Sequence, residues 1–128
     1  AADTLCELDG DIIGKPRDER DARAVLERLQ ARSHRTCTGV CAVDRRSGRR
    51  QLFADVAIVT LGRLTTEQVE AHLAGGAWRG KAGGYNFADQ VAAGWPLRCE
   101  GDPTSVMGLP MRRVRPLLDA LLRGRGAA

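Results

Sequence analysis

Leu8-Asp9-Gly10-Asp11-Ile12-Ile13-Gly14-Lys15-Pro16 holds a strand end, a turn, a short second strand and a stop. Asp9-Gly10 accepts positive φ at both centres of a two-residue turn, so Thr4 to Leu8 and Asp11 to Ile13 are predicted to pair as a β-hairpin. Beyond Pro16, Asp18 is placed to cap a helix in which Ala22, Val25, Leu26 and Leu29 recur at helical spacing, with charged residues on the other face.

Two further strands are expected from Arg35 to Val43 and from Gln51 to Leu61, antiparallel across the polar turn Asp44 to Arg50. Thr65-x-x-Gln68 is a capping box, with Leu64 placed to staple against Val69 and Gly75-Gly76 to end the helix. Gly83-Gly84-Tyr85-Asn86 reads as a loop. Ala88 to Ala93 reads as one or two helical turns ended by Gly94, and Trp95 to Cys99 as a strand. Gly101-Asp102-Pro103-Thr104 is a turn signal. The last helix opens at Gly108-Leu109-Pro110, with Val114, Leu117, Leu118, Leu121 and Leu122 as its packed face and Pro116 predicting a kink or a restart. Hairpins among helices give an α/β or α+β domain, and no internal repeat is visible.

At 128 residues and 43% hydrophobic composition, the chain suits one domain, residues 1–128, with one core. No apolar run approaches the roughly 20 residues of a helical membrane span, and a soluble globular protein is expected. Aromatic residues are 4% of the chain, too few for an RNA-stacking surface. The formal charge of +4 comes with 16 acidic residues interspersed, which disfavours nucleic acid as a partner. The basic residues are more telling than their sum. Of 20, only Lys15 and Lys81 are lysine, and each follows a glycine. A lysine ammonium is a compact point charge suited to phosphate oxygens.

Cys6, Cys37, Cys41 and Cys99 follow no signal-peptide pattern and read as reduced cytoplasmic thiols. The three-residue gap between Cys37 and Cys41, and the distance between His34 and His72, do not suit a zinc site. Gly75-x-x-x-x-Gly80-Lys81 has the spacing of a P-loop. It follows a helix rather than a strand, however, and Ala82 stands where Ser or Thr should reach a metal. The chain opens directly in a strand-like stretch, as if entering a domain already under way.

A distributed set remains: Ala2-Asp3-Thr4, Leu8 to Pro16, His34 to Val40 with Thr38-Gly39, Lys81-Ala82-Gly83-Gly84-Tyr85, Gly101-Asp102 and Gly108-Leu109-Pro110. In this order it resembles the Maf family of nucleoside triphosphate pyrophosphatases, whose chains carry A-D-T, L-D-G-x-I-x-G-K-P, H-x-x-x-T-G-V, K-A-G-x-Y, G-D and G-L-P. The resemblance implies a Maf and inosine triphosphatase-like fold, with a mixed β-sheet and hairpins flanked by helices. It also implies hydrolysis of a nucleoside triphosphate to the monophosphate and pyrophosphate in the cytoplasm, with a divalent metal, Mg or Mn, and a tendency to form homodimers. Asp3 falls on the family's catalytic and metal-holding aspartate. Lys15, Thr38, Lys81 and Tyr85 fall on positions expected to bind substrate, and Asp3 is expected at the C-terminal end of a strand. The family's S-x-S-P-R-R loop does not occur in these 128 residues, so impaired hydrolysis is expected of them alone. Many members carry Gln three residues after the tyrosine, where this chain has Ala88. The competing expectation is a non-catalytic Maf-like module that binds nucleotide or a protein.

Overall fold

A computed structural model describes residues 1–125. Its centre is a five-stranded antiparallel sheet in the order β2-β1-β3-β4-β5, formed by Ala2–Leu8, Asp11–Ile13, Arg32–Val43, Arg50–Leu61 and Leu97–Glu100 as β1 to β5. The hairpin at Asp9-Gly10 forms as the dipeptide predicts, with φ of 53° and 86° at its two centres. Helix α1 (Glu19–Leu29) begins at Asp18, whose side chain accepts from the Asp21 N–H, and it buries Ala22, Leu26 and Leu29. Helix α2 (Thr66–Gly75) has both bonds of the capping box and ends at Gly76 in the left-handed region.

The end of the chain departs from expectation in three places. The Gly101 to Thr104 turn is the entry to a short helix, α4 (Pro103–Val106). Asp102 caps it, and Pro103 takes the first helical position, where no N–H is needed. Helix α3 (Phe87–Ala92) precedes it, and α5 (Met111–Arg125) follows it and runs through Pro116 without a break. The bond Pro116 cannot donate would go to the carbonyl of Arg112, an exposed residue that water can serve. The expected packed face of α5 is mostly absent: Val114 is buried, Leu117 and Leu121 are half-buried, and Leu118 and Leu122 are exposed.

The core lies on one face of the sheet, where Cys6, Leu8, Ile13 and Leu61 meet Leu26 and Leu29 of α1 together with Tyr85 and Trp95. A smaller cluster of Ala22, Leu73 and Trp78 locks α1 to α2, and the Trp78 indole donates to the Leu73 carbonyl at 3.1 Å. Arg113 ties α5 to β4, its guanidinium over the Phe53 ring at 4.2 Å and Nη1 donating to the Ala54 carbonyl at 2.6 Å. By strand alternation Leu5, Cys37 and Val56 share the opposite face. Leu5, Val56 and Ile58 are exposed there. No helix among the described residues is long and apolar enough to cross a membrane.

Candidate active site

Strand β1 outruns β2. Their pairing covers Cys6 to Leu8, which leaves Ala2 to Leu5 with no β2 partner, and a cleft of about 340 Å³ opens beside Ala2, Asp3 and Thr4. Two lysine-bearing loops form other walls. Gly14-Lys15-Pro16 leaves β2, and the Gly80 to Phe87 segment leads from α2 into α3. The Gly83 N–H donates to the Gly14 carbonyl at 3.4 Å, and His72 of α2 donates from Nε2 to the Gly84 carbonyl at 2.7 Å. The two glycines have reasons to be glycine. Gly83 and Gly84 hold φ of +74° and +77°, and a Cβ on Gly84 would lie 3.2 Å from Pro16 Cγ.

Asp3, Lys15, Lys81 and Tyr85 therefore line one cleft although they come from three parts of the chain. Asp3 is not at a strand's C-terminal end. It is the second residue of β1, opposite Gly39 of β3, and Oδ1 accepts from the Thr4 N–H at 3.0 Å. Lys81 Nζ donates to the Ala77 carbonyl at 2.7 Å. Every ion pair among the described residues is made by arginine: Arg17 to Asp21, Arg23 to Glu70, Arg28 to Asp11, Arg32 to Asp9, Arg35 to Glu7 and Arg113 to Asp55. Neither cleft lysine has a carboxylate within that range. Two lysines whose ammonium groups have no carboxylate partner among the described residues line one cleft, a charge pattern that suits a polyanion.

Thr38 is the exception within the expected substrate-binding set. It is 0% exposed and does not line the cleft. Its hydroxyl donates to the Ser105 carbonyl at 2.8 Å, and that uses its one proton, so Thr4 Oγ1, 2.8 Å away, must donate to it. Thr38 thus fixes the Thr4 side chain from behind and joins β1 to α4. Tyr85 is mostly core: it packs on Trp95 with centroids 5.8 Å apart, and its hydroxyl lies 2.9 Å from His34 Nε2. Burial lowers the His34 pKa to about 4 and pushes that of Tyr85 well up. Both are neutral near pH 7. Asp102 is architectural. One oxygen accepts from the N–H and hydroxyl of Thr104, the other from the Arg112 N–H at 2.9 Å, so one carboxylate caps α4 and α5 together.

Among the described residues no group of three or more His, Cys, Asp or Glu could hold a metal ion. Asp3 is the one acidic residue among those that line the cleft. A single carboxylate does not make a protein cage, but it suits a hydrated divalent ion shared with phosphate oxygens. The lining residues Gly80, Asn86, Phe87, Val106 and Met107 escape a motif-based reading. Asn86 had a local signal, since Asn86-Phe87-Ala88-Asp89 is an N-cap pattern; its side chain accepts from the Asp89 N–H at 3.0 Å.

An antiparallel sheet with helices on its core face and a lysine-lined notch at one edge defines an α/β protein with one basic cleft. The chain belongs to the Maf family, since the model of that family, described as Maf-like protein, matches residues 1–121. It is 42% identical over 120 residues to the dTTP/UTP pyrophosphatase of Salinibacter ruber, an alignment covering 94% of this chain and 59% of the relative. Similar relatives are the dTTP/UTP pyrophosphatases of Rhizobium meliloti, at 40% over 92% of this chain and 56% of the relative, and of Acholeplasma laidlawii, at 35% over 88% and 58%. The chain spans somewhat more than half the length of these curated relatives.

Proposed function

We propose that this protein hydrolyses a nucleoside triphosphate between its α and β phosphates, giving the monophosphate and pyrophosphate. The observation that carries the proposal is the gathering of Asp3, Lys15 and Lys81 on one cleft, with both ammonium groups unpaired by carboxylates. The relatives named dTTP/UTP pyrophosphatase supply the reaction class and point to thymine and uracil nucleotides. In this scheme Lys15 and Lys81 hold phosphate oxygens and offset the charge that builds on the leaving pyrophosphate. Asp3 either holds a divalent ion, Mg²⁺ or Mn²⁺, against the phosphates or takes the proton of the attacking water. A divalent ion bound there would polarise the phosphorus–oxygen bonds and acidify a bound water. The water oxygen bonds to the α phosphorus as the bond to the bridging oxygen breaks, and pyrophosphate departs.

A cytoplasmic setting and a homodimer belong to the same proposal. The four cysteines, all free thiols, accord with the first, and sedimentation tests the second. Product analysis on UTP, dTTP, CTP, ATP and GTP tests the reaction. Pyrophosphate should appear in step with monophosphate, and Asp3→Asn should abolish it while the protein stays folded. Orthophosphate with a diphosphate product would contradict the proposal. Weak turnover is expected of these 128 residues alone, and nucleotide binding without turnover by a chain that also carries an S-x-S-P-R-R loop would favour the non-catalytic module.

A further inference from the structure

We propose that Asn86 reads the base: its side-chain amide donates to the 4-carbonyl of a uracil or thymine ring and so selects these bases over cytosine. The inference rests on the nucleotide reading of the cleft and adds a residue that sets specificity within it. It begins from the orientation of one amide. The Asp89 N–H, at the start of α3, can be satisfied only by an acceptor, so the Asn86 atom 3.0 Å from it is the oxygen, Oδ1. The Nδ2 group is then left with two N–H donors, and no partner for it exists among the described residues. Asn86 is half-buried and lines the cleft.

Elimination strengthens the assignment. The uncharged polar side chains on the cleft wall are those of Thr4, Tyr85 and Asn86. The Thr4 proton is committed to Thr38, as shown above. The Tyr85 hydroxyl is engaged with His34 in the core. Asn86 Nδ2 is therefore the one neutral side-chain donor on the wall still unengaged among the described residues, and the same wall includes Phe87, Val106 and Met107, an apolar surface suited to a flat ring. Lys81 and Asn86 lie on one continuous segment, so the same loop offers a charge for phosphate and a neutral donor for a base.

Uracil and thymine present an acceptor oxygen at position 4, whereas cytosine presents an amino donor there. A donor-only amide pairs with the first and leaves unpaired N–H groups face to face with the second. The side-chain amide carries this preference; the backbone N–H groups of α3 have no part in it.

The test is equilibrium binding, with Mg²⁺, of inorganic tripolyphosphate and of the α,β-methylene analogues of UTP and CTP. The unmodified protein should bind the UTP analogue at least about tenfold more tightly than the CTP analogue. Asn86→Asp keeps an acceptor for the Asp89 N–H but replaces the donors with lone pairs, and it should shift the UTP-to-CTP ratio by at least about tenfold toward CTP. Asn86→Ser, which also retains a capping oxygen and adds no charge, should bring the ratio close to one. Thermal unfolding of both variants confirms that the cap survives. An unmodified protein that binds the two analogues equally, or a ratio unchanged in both variants, would overturn the role of Asn86 and leave the cleft's phosphate chemistry standing. Failure of tripolyphosphate and both analogues to bind would overturn the nucleotide reading itself.

Discussion

His34 shows how a buried side chain makes a pH prediction. If its Nε2 donated to Tyr85, both the tyrosine proton and the bare Nδ1 would be unpaired. If Tyr85 donates to Nε2, only the Nδ1–H is unsatisfied, and the structure leaves Nδ1 buried without a partner. The second arrangement is the better one, and it requires a neutral ring. With a folded pKa of about 4 against an ordinary value near 6.5, the unfolded chain binds the proton more readily. Stability is therefore full above pH ~6.5 and falls as the pH drops toward 4, by at most roughly 3 kcal/mol. Urea unfolding across this range should show that slope, and His34→Gln should flatten it. Asp102 acts in a lower window. Burial opposes its ionisation, but the bonds from Thr104 and Arg112 and the Arg112 charge outweigh this and hold its pKa below the usual range. Its stabilisation is present at neutral pH and disappears only as the pH falls below ~3.9, through that lowered pKa. Asp102→Ala should cost about 1 to 2 kcal/mol or more at pH 7 by calorimetry, because two helix caps go together.

Elements whose signals are local were legible in the sequence, and those that depend on a distant partner were not. The Asp9-Gly10 hairpin and the Thr65 to Gln68 capping box need only neighbouring backbone, so residue type and spacing were enough. Removing the latter cap with Thr65→Ala should cost about 1 kcal/mol in chemical denaturation. For α5, periodicity revealed an apolar stripe but not what would cover it, and Leu122 is 62% exposed. Asp102 signalled a turn, yet whether a helix follows depended on Ser105, whose carbonyl is held by Thr38 of β3. Strand β4 gives a sharper contrast, since its two faces differ in burial. Leu61, 0% exposed in the core cluster, should lose about 2 to 5 kcal/mol on change to alanine, whereas Leu52, 71% exposed, should change stability by less than about 0.5 kcal/mol. Equal losses at the two positions would mean that the strand's faces are wrongly assigned.

At the scale of the whole molecule, the cleft is assembled from β1, the loop after β2, the segment between α2 and α3, and the turn after α4. No window of sequence contains it. Lys15 and Lys81 stood out only because arginine fills every other basic position, and their meeting depends on the Gly83 to Gly14 bond and on the fit of Gly84 against Pro16. Asp3 could be identified from its motif but not located, since its place at the start of β1 is set by pairing with Gly39. Thr38 had the right motif, but fold context made it a support for Thr4 instead of a wall of the cleft. The proposed function requires the two lysines to hold the phosphates of one nucleotide. Titration calorimetry of UTP with Mg²⁺ into the protein, Lys15→Ala and Lys81→Ala addresses it most directly. Each substitution should weaken binding by tenfold to more than a hundredfold, the worth of a charge-assisted contact of about 1.5 to 3 kcal/mol, with unfolding midpoints little changed. UTP affinity unaltered in both variants would contradict the account.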